Sequence, residues 1–187
     1  MPAALAVGSG RFAIPCTRTI AMNLFTGESS DEYFGSDTPP SVRRLLEQAA
    51  GAPPQQIEAL LWTAQASAPE CLATYYLLYK FHAGRRQFAL AERAARKGLH
   101  MAAEQAGLDA DWTRVQPGAA DFSQIGPARF WLFTLKALAF ISLRSGREAD
   151  ARAFLAHVQL LDPQGGVGGE VIAALAAAAS GGSDKAA

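Results

Sequence analysis

A chain of 187 residues with no net formal charge, half of it apolar and 18% of it charged, is long enough for one domain with a substantial core. That balance excludes a disordered chain, and neutrality argues against a protein whose whole surface coats nucleic acid or acidic lipid. Two cysteines, Cys16 and Cys71, are too few for a disulfide framework or a metal cluster and fit a reducing cytoplasm. No run of about 18 apolar residues is free of charge, because Arg129 and Lys136 interrupt the nearest approach at 128–143. Neither a membrane nor a nucleic acid is therefore expected as a partner.

Residues 1–22 are mildly apolar, but Gly8, Gly10 and Arg11 break the run before a signal-peptide core forms. The segment reads as a disordered extension, or as translation begun too early with Met22 the natural start. Residues 23–40 carry Glu28, Asp31, Glu32 and Asp37 and no Lys or Arg, which predicts a flexible acidic arm. Its Phe25, Tyr33 and Phe34 fit either a docking peptide or a tail draped on the domain. Residues 1–40 thus form an N-terminal extension.

From Ser41 the apolar period becomes helical. Val42, Leu45, Leu46 and Ala49 form one stripe, with Ser41 as N-cap and Gly51 as the stop. Pro53 and Pro54 open a second helix whose inner face is Ile57, Leu60, Leu61 and Ala64. A third helix, over about 70–83, is dense in aromatics. A fourth carries Phe88, Ala91, Ala94, Ala95 and Leu99 inward and stops at Gly107. Residues 108–127 are irregular, and Trp112 and Phe122 are expected to pin this long connection to the helices. The helix over about 128–144 is apolar on nearly every side, which marks it as central. An amphipathic helix follows Gly146 and runs to about Leu161. The run Gly165-Gly166-Val167-Gly168-Gly169 opens a last Ala-rich helix over about 169–179, and residues 180–187 read as a disordered tail. The fold class is all-α, with a helical domain over 41–179.

Two stretches share a skeleton. Gly84 is followed by Ala89, and Gly146 by Ala151 and then Pro163, the glycine, alanine and proline offsets of a tetratricopeptide helix-turn-helix unit. Met101 stands where the first stretch would have its proline. Such hairpins stack into curved scaffolds that hold other proteins. The expectation is stacked tetratricopeptide-like hairpins with one long inserted loop.

Chemistry finds little foothold. His82, His100 and His157 fall on three different helices, with no second ligand at a local metal spacing. Cys71 reads as a small buried hydrophobe, and no nucleophile elbow or P-loop lysine occurs. The glycine run follows a helix instead of a strand and lacks the spacing of a phosphate cradle. No catalytic residue, cofactor or metal is expected.

Two candidate binding surfaces remain. Lys80, Arg85, Arg86, Arg93, Arg96 and Lys97 lie close in sequence, and helical spacing puts Arg86, Arg93 and Lys97 on one side with Arg96 a step round. This stripe suits an acidic protein surface or a phosphate, or else it is an ordinary solvated face paired with the acidic arm. On the third helix Tyr75 and Tyr79 are neighbours and are expected in a groove, while Tyr76 and Phe81 are expected in the core. Trp112 completes the candidate set.

The order of pieces also resembles a known family. Tyr79 to Arg85, Ala102 to Trp112, Arg129 to Ala137 and Leu161 to Gly169 are similar to small tetratricopeptide-like proteins associated with bacterial nitrogen-fixation gene regions. The likeness covers roughly 41–178. It implies a non-catalytic accessory factor that binds and stabilises nitrogenase or an assembly intermediate, without supplying catalytic residues. The competing expectations are a general peptide-binding scaffold, such as a secretion chaperone or regulator, and a metabolite sensor.

Overall fold

The structure, a computed structural model, describes residues 38–183. Expectations for the acidic arm up to Asp37, for Met22 and for the last four residues lie outside the described residues. Among the described residues are seven α-helices and no strand: α1 Pro40–Gly51, α2 Pro54–Ser67, α3 Leu72–Gly84, α4 Phe88–Ala106, α5 Pro127–Arg144, α6 Glu148–Leu161 and α7 Gly169–Ser183. Three of them open with proline in the first turn, where the missing N–H has no partner to lose. The first begins one residue before the expected cap: Ser41 is helical, and the Arg43 amide donates to the Pro39 carbonyl at 2.9 Å. The last continues through Ser180-Gly181-Gly182-Ser183, which the sequence suggested was disordered.

Successive helices pack on one another from α1 to α7, and α5 touches α3, α4, α6 and α7. Its apolar circumference is the reason: Phe130, Trp131, Leu132, Leu135, Leu138 and Ile141 point in different directions, and all are buried. The third helix is nearly as enclosed, with every residue from Leu72 to Tyr79 buried against α2, α4 and α5.

The α3–α4 and α5–α6 turns are built alike, 60 residues apart. The Gln87 amide donates to the His82 carbonyl at 2.9 Å and that of Arg86 to Ala83 at 3.0 Å. Arg147 donates to Ser142 at 2.9 Å and Gly146 to Leu143 at 3.1 Å. Both are Schellman closures, which need a left-handed residue just past the helix. Gly146 meets that need with φ 77°, and Arg86 meets it with φ 61°, the one positive value among described non-glycine residues.

The first hairpin is therefore shifted by two residues from the expected glycine and alanine positions. Its left-handed position is Arg86, not Gly84. Its buried small residue is Ala91, not Ala89, which is exposed. Ala91 and Ala151 match, and both are fully buried.

One exchange of bulk separates the hairpins. Tyr75 and Gly98 in the first correspond by position to Leu135 and Val158 in the second, and all four are buried. A Cβ on Gly98 would lie 2.8 Å from Tyr75 Cβ, so glycine is what lets α4 approach the tyrosine.

The connection after α4 is irregular but ordered by its own side chains. Gly107, at φ 66°, ends α4, and a 3₁₀ turn follows at Trp112–Arg114. Asp111 Oδ1 accepts from the Thr113 amide at 3.0 Å, and Asp121 Oδ1 accepts from the Ser123 amide at 2.9 Å. Short polar side chains thus supply turns that the backbone does not supply alone. Val115 and Phe122 are buried, and Phe122 packs on Trp131 with ring centres 5.9 Å apart.

Candidate protein-binding surface

Of the basic stripe, Arg93, Arg96 and Lys97 lie on α4 and Arg86 does not. Arg86 sits in the turn and not on α4, because its left-handed backbone precedes the first helical residue, Phe88. Arg85 lies over the Phe81 ring at 5.3 Å and Arg93 over Trp62 at 5.7 Å, toward α2. Arg96 turns the other way: it lies 5.9 Å from the Phe154 ring and donates from Nε to Glu92 Oε1 at 2.8 Å. Lys97 is exposed. Glu92 also receives Arg147 at 2.5 Å, so one carboxylate ties α4 to the start of α6. Arg147 first and then Arg96 hold the Glu92 carboxyl below its ordinary value.

Tyr75 and Tyr79 do not line a groove. Both are buried, as are Tyr76 and Phe81. The Tyr75 hydroxyl donates to the Pro69 carbonyl at 2.8 Å and accepts from Gln65 Nε2 at 3.1 Å, and burial pushes its pKa up. Burial raises that of Tyr79 well above the ordinary tyrosine value. With α2, α4 and α5 all against α3, no tyrosine-bearing side stays open. Trp112 is half-buried and packs on Phe154 and His157 of α6, with centroids at 4.8 and 5.2 Å. It anchors the long loop.

Three histidines stand apart. His82 is fully buried, its Nδ1 2.9 Å from Gln87 Oε1. His100 lies 3.3 Å from Glu104 on the surface, and burial, with Trp112 packed on the ring, lowers the pKa of His157. Cys71 is buried, and burial raises its thiol. Among the described residues no three His, Cys, Asp or Glu side chains converge on a point that could hold a metal. At the glycine run the Glu170 carboxylate lies against Gly165, and Asp162 Oδ2 accepts from the Val167 amide at 2.8 Å. Carboxylates occupy the place an anion would take.

A different surface emerges on α3 and α5. Along α5, Arg129, Phe133, Lys136, Phe140 and Arg144 recur at helical spacing and form one row. Arg129 and Lys136 lie over the Phe133 ring at 5.6 and 4.3 Å, and Arg144 over Phe140 at 5.9 Å and Phe88 at 6.0 Å. On α3, Lys80 lies 4.8 Å from the Tyr76 ring, and its Nζ donates to the Tyr76 hydroxyl at 2.9 Å.

Cations at these positions bind loops as well as rings. Lys136 Nζ donates to the Val167 carbonyl, and Arg129 donates to Phe122 and Ser123 carbonyls at 3.4 Å each. Carbonyls satisfy the N–H groups but do not neutralise the charge. Burial, with Lys80 and Arg129 nearby, pulls the Lys136 ammonium down to about 8, against the opposing pull of Asp162. Periodicity along 128–144 exposes this row, but its pairing with Lys80 requires knowing that α3 and α5 lie together.

A concavity of about 550 Å³ lies between α6 and α7, with Leu155, Val158 and Ala173 in its wall and Arg152, Asp162 and Glu170 among its polar groups. No helix among the described residues is long and apolar enough to cross a membrane.

Comparison with known proteins places this scaffold beside one curated relative. The chain is 29% identical over 154 residues to an uncharacterized 19.8 kDa protein in the nifW 5′ region of Azotobacter chroococcum mcd 1. The match covers 81% of this chain and 86% of that protein. No family model matches the chain, and no solved structure matches it. The likeness suggests a family associated with nitrogen-fixation gene regions.

Proposed function

We propose that this chain is a non-catalytic, tetratricopeptide-like accessory factor that binds and stabilises nitrogenase or one of its assembly intermediates in the cytoplasm. The observation that carries it is the likeness to a protein from the nifW 5′ region across most of both chains. The scaffold half is supported by the two hairpins with matching Schellman turns and matching buried alanines. A rigid stack of this kind can favour one conformation of its partner by binding it better than the alternatives, with no chemical step of its own. Tagged chain captured at low salt from nitrogen-fixing cells should bring nitrogenase components or their assembly factors with it. The same capture from ammonium-grown cells should not. A recurrent unrelated partner in both cultures would contradict the nitrogenase role.

The α6–α7 concavity favours a second reading, a general peptide-binding scaffold such as a secretion chaperone or regulator. Its apolar wall, with polar groups round it, is the kind of seat a short helical or extended peptide uses. Capture of diverse substrates irrespective of nitrogen source would select it.

A further inference from the structure

We infer that the α6–α7 side of the stack is a twofold self-association face, on which the α6–α7 groove of one copy receives the Val171–Leu175 ridge of a second copy. The inference stands apart from the nitrogenase role and competes with the peptide seat proposed for the same groove.

Apolar exposure is concentrated on this face. Every residue from Val171 to Ala179 is apolar, yet of the three large side chains there only Ile172 is buried. Val171 is 66% exposed and Leu175 48%, and with Ala174 they share one side of α7 at spacings of three and four. Leu160 on α6 is exposed as well, so three of the four large exposed hydrophobics among the described residues lie on these two helices. A ridge of this kind is stabilised by an apolar surface that removes it from water.

Ridge and groove suit each other. Glu170, Ala173 and Ala177 turn the adjoining side of α7 into the groove, and Leu155 and Val158 of α6 form the opposite wall. The small alanines leave room for incoming aliphatic side chains. A ridge beside a groove on one helix pair is what a twofold axis makes self-complementary, because each copy gives a ridge and takes one.

Charge complementarity sets the direction. Arg152 is the cation among the groove residues and lies in the first half of α6, whereas Asp162 and Glu170 gather where α6 ends and α7 begins. The two ends are about 15 Å apart at ~1.5 Å per helical residue. A second copy turned end for end brings each Arg152 to the acidic end of the other groove, so the favourable pair forms twice. Arg152 already donates to Glu148 at 2.7 Å, but a surface pair within one helix contributes little and does not oppose a second carboxylate.

Sedimentation equilibrium of the full chain over the micromolar range should give a monomer–dimer equilibrium. Val171→Glu with Leu175→Glu should weaken association about tenfold or more with an unchanged helical signal, because both side chains face water in the single chain. Arg152→Glu and Glu170→Arg should each weaken it, and the two together should restore it, since the swap rebuilds the pairs across the axis. Loss of fold cannot produce that restoration.

A chain that stays monomeric throughout overturns the inference, as does a dimer that the Val171→Glu and Leu175→Glu variant leaves intact. Failure of the double charge swap to restore association overturns it too. A helical peptide that fills the groove of a monomeric chain would return the face to the peptide reading. Nitrogenase capture that fails while the dimer and its charge-swap rescue persist would remove the accessory role and leave this face standing.

Discussion

The two central hairpins solve one packing problem with different residues. At the left-handed position the second uses Gly146 and the first uses Arg86. Across the helix pair the second sets Val158 where the first has Gly98, and Leu135 where the first has Tyr75. After the turn Gln87 reaches back to His82 within its own hairpin, whereas the matching Arg147 reaches Glu92 of the neighbouring one. Backbone hydrogen bonds are the invariant part. Side-chain bulk is exchanged in compensating pairs, and the polar residue after the turn is free to serve either its own hairpin or the next.

That compensation can be broken first at its tightest contact. Gly98→Val should destabilise by about 3 kcal/mol in denaturant unfolding, because a Cβ there already meets the backbone-near Tyr75 Cβ, which cannot swing away. The reverse change, Val158→Gly, should cost a similar ~3 kcal/mol through a cavity and a helical glycine. A loss under about 1 kcal/mol in either would mean that the hairpins are not matched in this way.

The turns give smaller effects of opposite sign. Gly146→Ala should lose about 1 kcal/mol by forcing a side chain onto φ 77°. Arg86→Gly should gain up to ~1 kcal/mol, since relief at φ 61° outweighs the added freedom of the unfolded chain. Equal behaviour of the two positions would sink the correspondence.

The smallest effect tests the tie between hairpins. Glu92→Gln should cost roughly 0.5–1 kcal/mol at neutral pH, a modest value because Arg147 remains partly solvated. Glu92 has a folded value below its ordinary 4.5, so its contribution is complete above about that pH and is lost as pH falls through the folded value. The variant should lose less stability than the parent between neutral and acid conditions. Parallel pH profiles would show that the ion pair contributes nothing.

Much of the architecture was legible because it rests on local signals. Prolines at 54 and 127, glycines at 107 and 146 and the apolar circumference of 128–144 all place helices close to where they occur. The register of the first hairpin is hidden in the sequence because its left-handed residue is an arginine where the repeat pattern has a glycine. Tyr75 and Tyr79 were misplaced for a related reason. Helical spacing shows that two side chains share a side, but not whether a third helix covers it, and α5 lies against α3.

On α4, Arg93 lies over Trp62 while Arg96 turns to Phe154 and Glu92. The cations that do gather come from helices some fifty residues apart, such as Lys80 and Lys136. Neighbourhood in sequence is a poor guide to a surface built across hairpins, whereas the spacing of Arg129, Lys136 and Arg144 along one helix could have been noticed beforehand.

The proposed role requires that this helical stack bind a nitrogenase component directly and without turnover. Purified chain titrated into purified nitrogenase proteins, and into their cofactor-deficient forms, measures this by calorimetry at low and at raised salt. Saturable binding to at least one form, weakened by salt, is the expected result. Absence of binding to every form at low salt, with the chain fully folded, would contradict it.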